Sequence, residues 1–110
     1  MKEYYEAIKK FHEKFEFKGT NNEDMQFRLN LLIEELGELA ECVTKGKSKE
    51  DFIEENVDLL ILTIGNLIST EISIEEFDKA FWKKHEKLMN REKRKISENK
   101  TRVSEFRGMD

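Results

Sequence analysis

Apolar residues recur at steps of three and four along almost the whole chain. No stretch alternates convincingly with a period of two, so the pattern predicts an all-α fold. A first amphipathic helix, about Lys2 to Phe15, carries Tyr4, Tyr5, Ile8, Phe11 and Phe15 along one side. Lys18-Gly19-Thr20-Asn21-Asn22 has the composition of a loop. Asn22, followed by Glu23 and Asp24, suits the start of a second helix that runs to Lys45 before Gly46. Its expected core seam is Met25, Leu29, Leu32, Leu36, Leu39 and Val43, a continuous stripe. Ser48-Lys49-Glu50-Asp51 has the form in which a serine side chain and an acid satisfy the free amides of a helix start, and it opens a third helix reaching about Ser69. Ser73-Ile74-Glu75-Glu76 repeats the signal for a fourth helix bearing Phe77, Phe81, Trp82, Leu88 and Met89, which fades after about Lys95. The expectation is four main helices in an antiparallel bundle over residues 1–95, followed by a basic C-terminal tail over 96–110.

The third helix differs from the others, because from Val57 to Ile64 apolar residues surround it on every side, the pattern of a buried helix. Ile53, Val57, Leu60, Ile64 and Leu67 form one stripe, and the opposite side carries Glu55, Asp58, Leu62 and Gly65. A glycine inside a helix costs about 1 kcal/mol relative to alanine, so Gly65 marks either a close approach or simple tolerance.

Composition narrows the function. At 110 residues, with 40% charged side chains and no proline, the chain makes one domain. The 37% hydrophobic share is low for a globular chain, and a domain this small buries a modest fraction of its surface, so a partner subunit is expected. No run of apolar residues reaches membrane-span length and the first residues lack a secretory apolar block, which points to a cytoplasmic protein. Cys42 is the only cysteine and there are two histidines, which excludes disulfide frameworks and Cys/His zinc sites. A net charge of −4 argues against a nucleic-acid binder, yet Glu34 to Asp58 holds nine acids against three lysines, and Arg91 to Arg107 seven bases against three acids. An acidic centre with a basic end suits a metal site whose ligand is itself anionic, as it also suits two solvated faces.

Geometry separates those alternatives. A connection of about three residues around Gly46 and Lys47 makes helices two and three antiparallel neighbours. Counted from Lys47, Glu38 is nine residues back and Glu55 eight forward, while Glu35 is twelve back and Asp58 eleven forward. At about 1.5 Å rise per residue, Glu38 comes level with Glu55 and Glu35 with Asp58. Four carboxylates then converge beside apolar neighbours, where like charges resist ionising unless a cation neutralises them. Oxygen-only ligands suit magnesium, with manganese the alternative. Neither His12 nor His85 has a glutamate three residues before it, which disfavours a ferritin-like di-iron site.

Glu34-Glu35-Leu36-Gly37-Glu38 followed by Glu55-Asn56-Val57-Asp58 resembles the Glu-Glu-x-x-Glu and Glu-x-x-Asp signature of the MazG-like, all-α nucleoside triphosphate pyrophosphohydrolases. Leu32 to Glu41 is similar to that family's second helix, and the helices follow its order. The resemblance implies a magnesium-dependent enzyme that cuts a nucleoside triphosphate to the monophosphate and pyrophosphate, as a homodimer or homotetramer. It implies Glu35, Glu38, Glu55 and Asp58 as metal ligands, with Glu34 near them. Glu34 and Glu38 are the two candidates for accepting a proton from the attacking water. The phosphoribosyl-ATP pyrophosphohydrolase of histidine biosynthesis resembles the chain in the same helices, as do dUTPases and dCTPases. From a different class, a helical interaction module with an acidic groove and no catalysis is the rival reading.

A triphosphate also needs fixed cations. Lys84, Lys87, Arg91 and Arg94 follow one another at helical steps and are candidates, against the plainer reading of a solvated basic face. Arg28 is a candidate for phosphate or base against a surface ion pair, and Asn66 for base or sugar against a bond to a neighbouring helix. Phe81 and Trp82 are expected in the core, His12 and His85 at the surface or its edge, and Cys42 as a small core residue.

Overall fold

The computed structural model describes residues 1–17, 22–97 and 100–104. The expected loop at 18–21 lies outside the described residues, and so do 98–99 and 105–110 of the basic tail. Four helices follow one another in the predicted order: α1 (Lys2–Lys14), α2 (Asn22–Thr44), α3 (Lys49–Ser69) and α4 (Ile74–Met89). The all-α reading holds for this body of the chain. A two-stranded antiparallel ribbon follows it, β1 (Glu92–Ser97) and β2 (Lys100–Ser104), with Arg94 opposite Arg102. Much of the stretch read as the end of a helix and a basic tail is therefore strand. With Ile96 and Val103 the one apolar residue of each strand, the hydrophobic period is silent there.

The chain divides into two units, Met1–Ile74 and Glu75–Asp110. In the first unit α3 is central, with α1 and α2 each packed against it. The Ser48 side chain caps α3 by accepting from the Asp51 amide at 3.1 Å. At the end of α2, the Lys47 amide donates to the Cys42 carbonyl at 2.9 Å and the Gly46 amide to that of Val43 at 3.3 Å. This closure needs a left-handed residue, and Gly46 takes it at φ +61°. The same wrap ends α1 at Glu16 and α3 at Glu71, where a glutamate adopts the left-handed conformation. Tyr5 ties α1 to the end of α3, its hydroxyl donating to the Ile72 carbonyl at 2.9 Å.

Burial departs from the expected seams in a consistent way. The buried apolar residues are Tyr5, Cys42, Ile64, Leu67 and Ile74, and His12 and Ser69 are buried polar residues. Cys42 is thus the small core residue expected, whereas His12, expected at the surface or edge, lies inside. On α2 the positions turned inward are Met25, Arg28, Leu31, Leu32, Glu35, Leu39 and Cys42, while Leu29, Leu36 and Val43 of the expected seam are exposed together with Ile33. The apolar surface of α2 is wide, and α3 covers only the edge that also carries Glu35. On α3, Ile53 and Val57 are exposed, and the buried part begins farther along. In the second unit Phe81 and Trp82, expected in the core, are 52% and 62% exposed; Trp82 meets both Phe81 and His85 edge to face, and Phe81 stacks on His85.

Replacing Ser48 by alanine removes the oxygen that satisfies the Asp51 amide, and should lower unfolding stability by about 1 kcal/mol. Chemical denaturation of the two proteins measures it; equal midpoints would show that the cap contributes nothing.

Candidate functional site

Residues that lie far back on α2 meet residues far forward on α3, as only an antiparallel pair allows. Arg28 bonds to Asn66, and farther toward the Gly46 turn Glu35 faces Glu55 and Asp58. One carboxylate oxygen from each of Glu35, Glu55 and Asp58 falls within 4.8 Å of the others. Glu38 lies within hydrogen-bonding range of both Glu35 and Glu55 and stands at the exposed side of the group. Glu34 is exposed on α2 beside Glu35. All four residues of the spaced motif therefore share one locality between the two helices.

The electrostatics of that locality are strained. Loss of solvent, then the hydrogen bond and charge of Glu38, then the charge of Asp58 and the hydrogen bond of Glu55 push the Glu35 carboxyl up to about 7. Glu55 is raised as well, first by burial and then by the charge of Glu38. The Oε2 atoms of Glu35 and Glu55 are buried without a hydrogen-bond partner. A buried carboxylate oxygen with no donor costs free energy that a proton or a cation removes. Clustered oxygen donors with orphaned atoms fit a hard divalent cation.

Two turns before Glu35 on the same face of α2, the Arg28 Nε donates to the Asn66 Oδ1 at 2.8 Å and its Nη2 to the Leu62 carbonyl at 3.3 Å. Asn66 therefore makes the helix-to-helix bond that was one of its two readings, and Arg28 is half-buried rather than a surface ion-pair partner. Gly65 explains how the guanidinium fits: a Cβ there would run into Arg28 and into the His12 Nε2. The close approach at this glycine is made by side chains. Burial, then the charge of Arg28, holds His12 below the usual histidine range and so neutral. His12 gave no local signal in the sequence; only the packing of α1 on α3 brings it to Arg28 and Gly65.

A cleft of about 490 Å³ opens beside this cationic group, lined by Phe11, His12, Phe17, Phe27, Arg28, Leu31 and Leu62 among others. Leu31 is one turn before Glu35 and Leu62 one turn after Asp58, so the cleft adjoins the carboxylates along the α2–α3 groove. The other basic candidates belong to the second unit. Lys84 and Lys87 are exposed on α4, Arg91 follows the helix end at Met89, and Arg94 is in β1. The single helical ladder expected of these four does not form, because α4 stops before Arg91.

The model of the phosphoribosyl-ATP pyrophosphohydrolase family matches residues 1–85, which takes in all of α1 to α3 and most of α4. No curated protein and no solved structure matches the chain.

A carboxyl raised from 4.5 to about 7 binds more protons in the folded than in the unfolded protein across that interval, so stability falls as pH rises through it. The cation-free protein should therefore show a thermal midpoint that declines over this window. A divalent ion at millimolar concentration should restore the midpoint at the upper end. Thermal scans with and without the ion measure both; a flat profile unaffected by the ion would contradict the crowding of these acids.

Proposed function

Because the chain belongs to the phosphoribosyl-ATP pyrophosphohydrolase family, within the MazG-like all-α superfamily, we propose that it hydrolyses nucleoside triphosphates to the monophosphate and pyrophosphate, with magnesium as its cofactor. The observation that carries this reading is the group of carboxylate oxygens from Glu35, Glu55 and Asp58 within 4.8 Å, two of those residues having an orphaned buried oxygen. Family membership supports pyrophosphohydrolase chemistry; the triphosphate substrate and the magnesium are the proposal.

In this reading Glu35, Glu38, Glu55 and Asp58 hold the ion, and manganese would serve in its place. Once bound, magnesium supplies the positive charge that phosphate oxygens need and makes water a better nucleophile. Glu38, at the exposed side of the group, and Glu34, exposed on the same helix, are the two proposed acceptors for the proton of the attacking water. The water oxygen bonds to the α-phosphorus as the bridging bond breaks, and pyrophosphate leaves with that electron pair. Lys84, Lys87, Arg91 and Arg94 are proposed as anion partners from the same or a neighbouring subunit, and Arg28 and Asn66 as contacts along the groove. Exposed Ile33, Leu36 and Val43 on α2 support assembly as a homodimer or homotetramer. No single helix among the described residues is long and apolar enough to cross a membrane. A cytoplasmic location and free nucleotides rather than nucleic acid as the partner are part of the proposal.

A second reading, phosphoribosyl-ATP as the substrate, is favoured by the description of the matching family. It uses the same bond and the same acids.

Pyrophosphate release from a panel of triphosphates and phosphoribosyl-ATP, with and without magnesium, tests the proposal. Glu35→Gln and Asp58→Asn should each lower kcat by about 100-fold or more, since loss even of groups that only support a metal ligand costs 10- to 100-fold. Absence of product from every substrate, or variants as active as the parent, would leave a helical binding module.

A further inference from the structure

The cleft between α1, α2 and α3 holds a cation that the proposed hydrolysis leaves without a specific task. Arg28 is half-buried there, and among the described residues no carboxylate sits against it. A guanidinium has five N–H donors and no acceptor. Its Nε donor is taken by the Asn66 Oδ1 and one Nη2 donor by the Leu62 carbonyl. These two bonds, together with the space left by the absent Cβ of Gly65, fix the plane of the group. Three donors remain, two on Nη1 and one on Nη2. Around them the cleft offers aromatic surface: Phe11 and Phe17, which meet edge to face at 5.4 Å, line it together with Phe27, Phe27 being 64% exposed, and Glu16 lies in the same lining.

A planar ring system with two adjacent acceptors is the chemistry that satisfies this arrangement. Arg28 is seven residues before Glu35, about 10 Å along the helix, so a nucleotide lying in the groove with its phosphates at the acids would bring its base to Arg28. Resting on the nucleotide reading above, we infer that Arg28 is the specificity residue of this cleft and that it favours guanine over adenine. Guanine presents O6 and N7 as neighbouring acceptors, which a guanidinium fork meets with two bonds, whereas adenine places an amino donor next to N7 and turns it toward the fork. One such bidentate contact separates the right base from the wrong one by roughly 5- to 150-fold. Adenine in the same place leaves donor facing donor in a partly desolvated cleft, a cost that hydrogen-bonding sites exploit for discrimination.

The decisive comparison is kcat/KM for GTP, ITP, 7-deaza-GTP and ATP with the full chain and magnesium, alongside dissociation constants for GMP and AMP measured by calorimetry. GTP and ITP, which share O6 and N7, should exceed ATP by about 10-fold or more, and 7-deaza-GTP, lacking one acceptor, should lose most of that advantage. Arg28→Lys keeps the charge and removes the fork, so it should bring the GTP/ATP and GMP/AMP ratios toward unity, a change that mere destabilisation of the helix contact would not produce. The base-analogue series needs no variant and stands even where Arg28→Lys folds poorly. Equal rates for GTP and ATP, a preference for ATP or phosphoribosyl-ATP, or ratios unchanged by Arg28→Lys would overturn the inference and leave the pyrophosphohydrolase reading intact. GMP bound in preference to AMP by a protein that releases no pyrophosphate would do the reverse.

Discussion

Four like-charged side chains held between two helices are the constraint on which the functional reading of this protein depends. Glu35, Glu38, Glu55 and Asp58 oppose one another, and the helices that carry them also exclude solvent from two of their oxygens. A fold selected for stability alone would place an apolar cluster there, because a buried acid without a partner works against folding. The strain becomes useful when a cation enters, since the repulsion that raises the Glu35 carboxyl to about 7 turns into attraction for the ion.

The helix that makes this possible is α3. It presents one side to α1 and another to α2, so the same element anchors the core at Ile64 and Leu67 and delivers Glu55 and Asp58 to the groove. Gly65 adds a second function to it. Where a side chain would have filled the groove, the glycine leaves space for Arg28, and the guanidinium bridges α2 to α3 while keeping part of its donor set free. Acids toward the closed end and a cation two turns away give the groove a polarity that matches a ligand with phosphate at one end and a hydrogen-bonding ring at the other.

A cost of this design is a thin core. Side helices that bury one edge leave Leu29, Ile33, Leu36 and Val43 exposed, and no described side chain is completely buried. Exposed apolar stripes of this length are the feature on which the proposed self-assembly rests.

The sequence by itself determined the four helices and the ends of the first three, because each signal is local. Ser48 caps α3 through its own neighbour three residues on, and Gly46 is the residue best able to take the left-handed turn that ends α2. It also determined the carboxylate register, since a short connection and a fixed rise per residue leave one antiparallel alignment. Which stripe of α2 faces α3 was not legible: Leu29, Leu36 and Val43 repeat at helical spacing as well as Leu32, Leu39 and Cys42 do, and periodicity defines a face without saying what lies against it. The bond from Arg28 to Asn66 and the approach of His12 to Gly65 join residues 38 and 53 positions apart, and only packing brings such residues together. The end of α4 at Met89 and the ribbon after it escaped for the opposite reason. Predominantly basic strands with few apolar residues carry no hydrophobic period, and their pairing is decided by backbone hydrogen bonds that composition does not record.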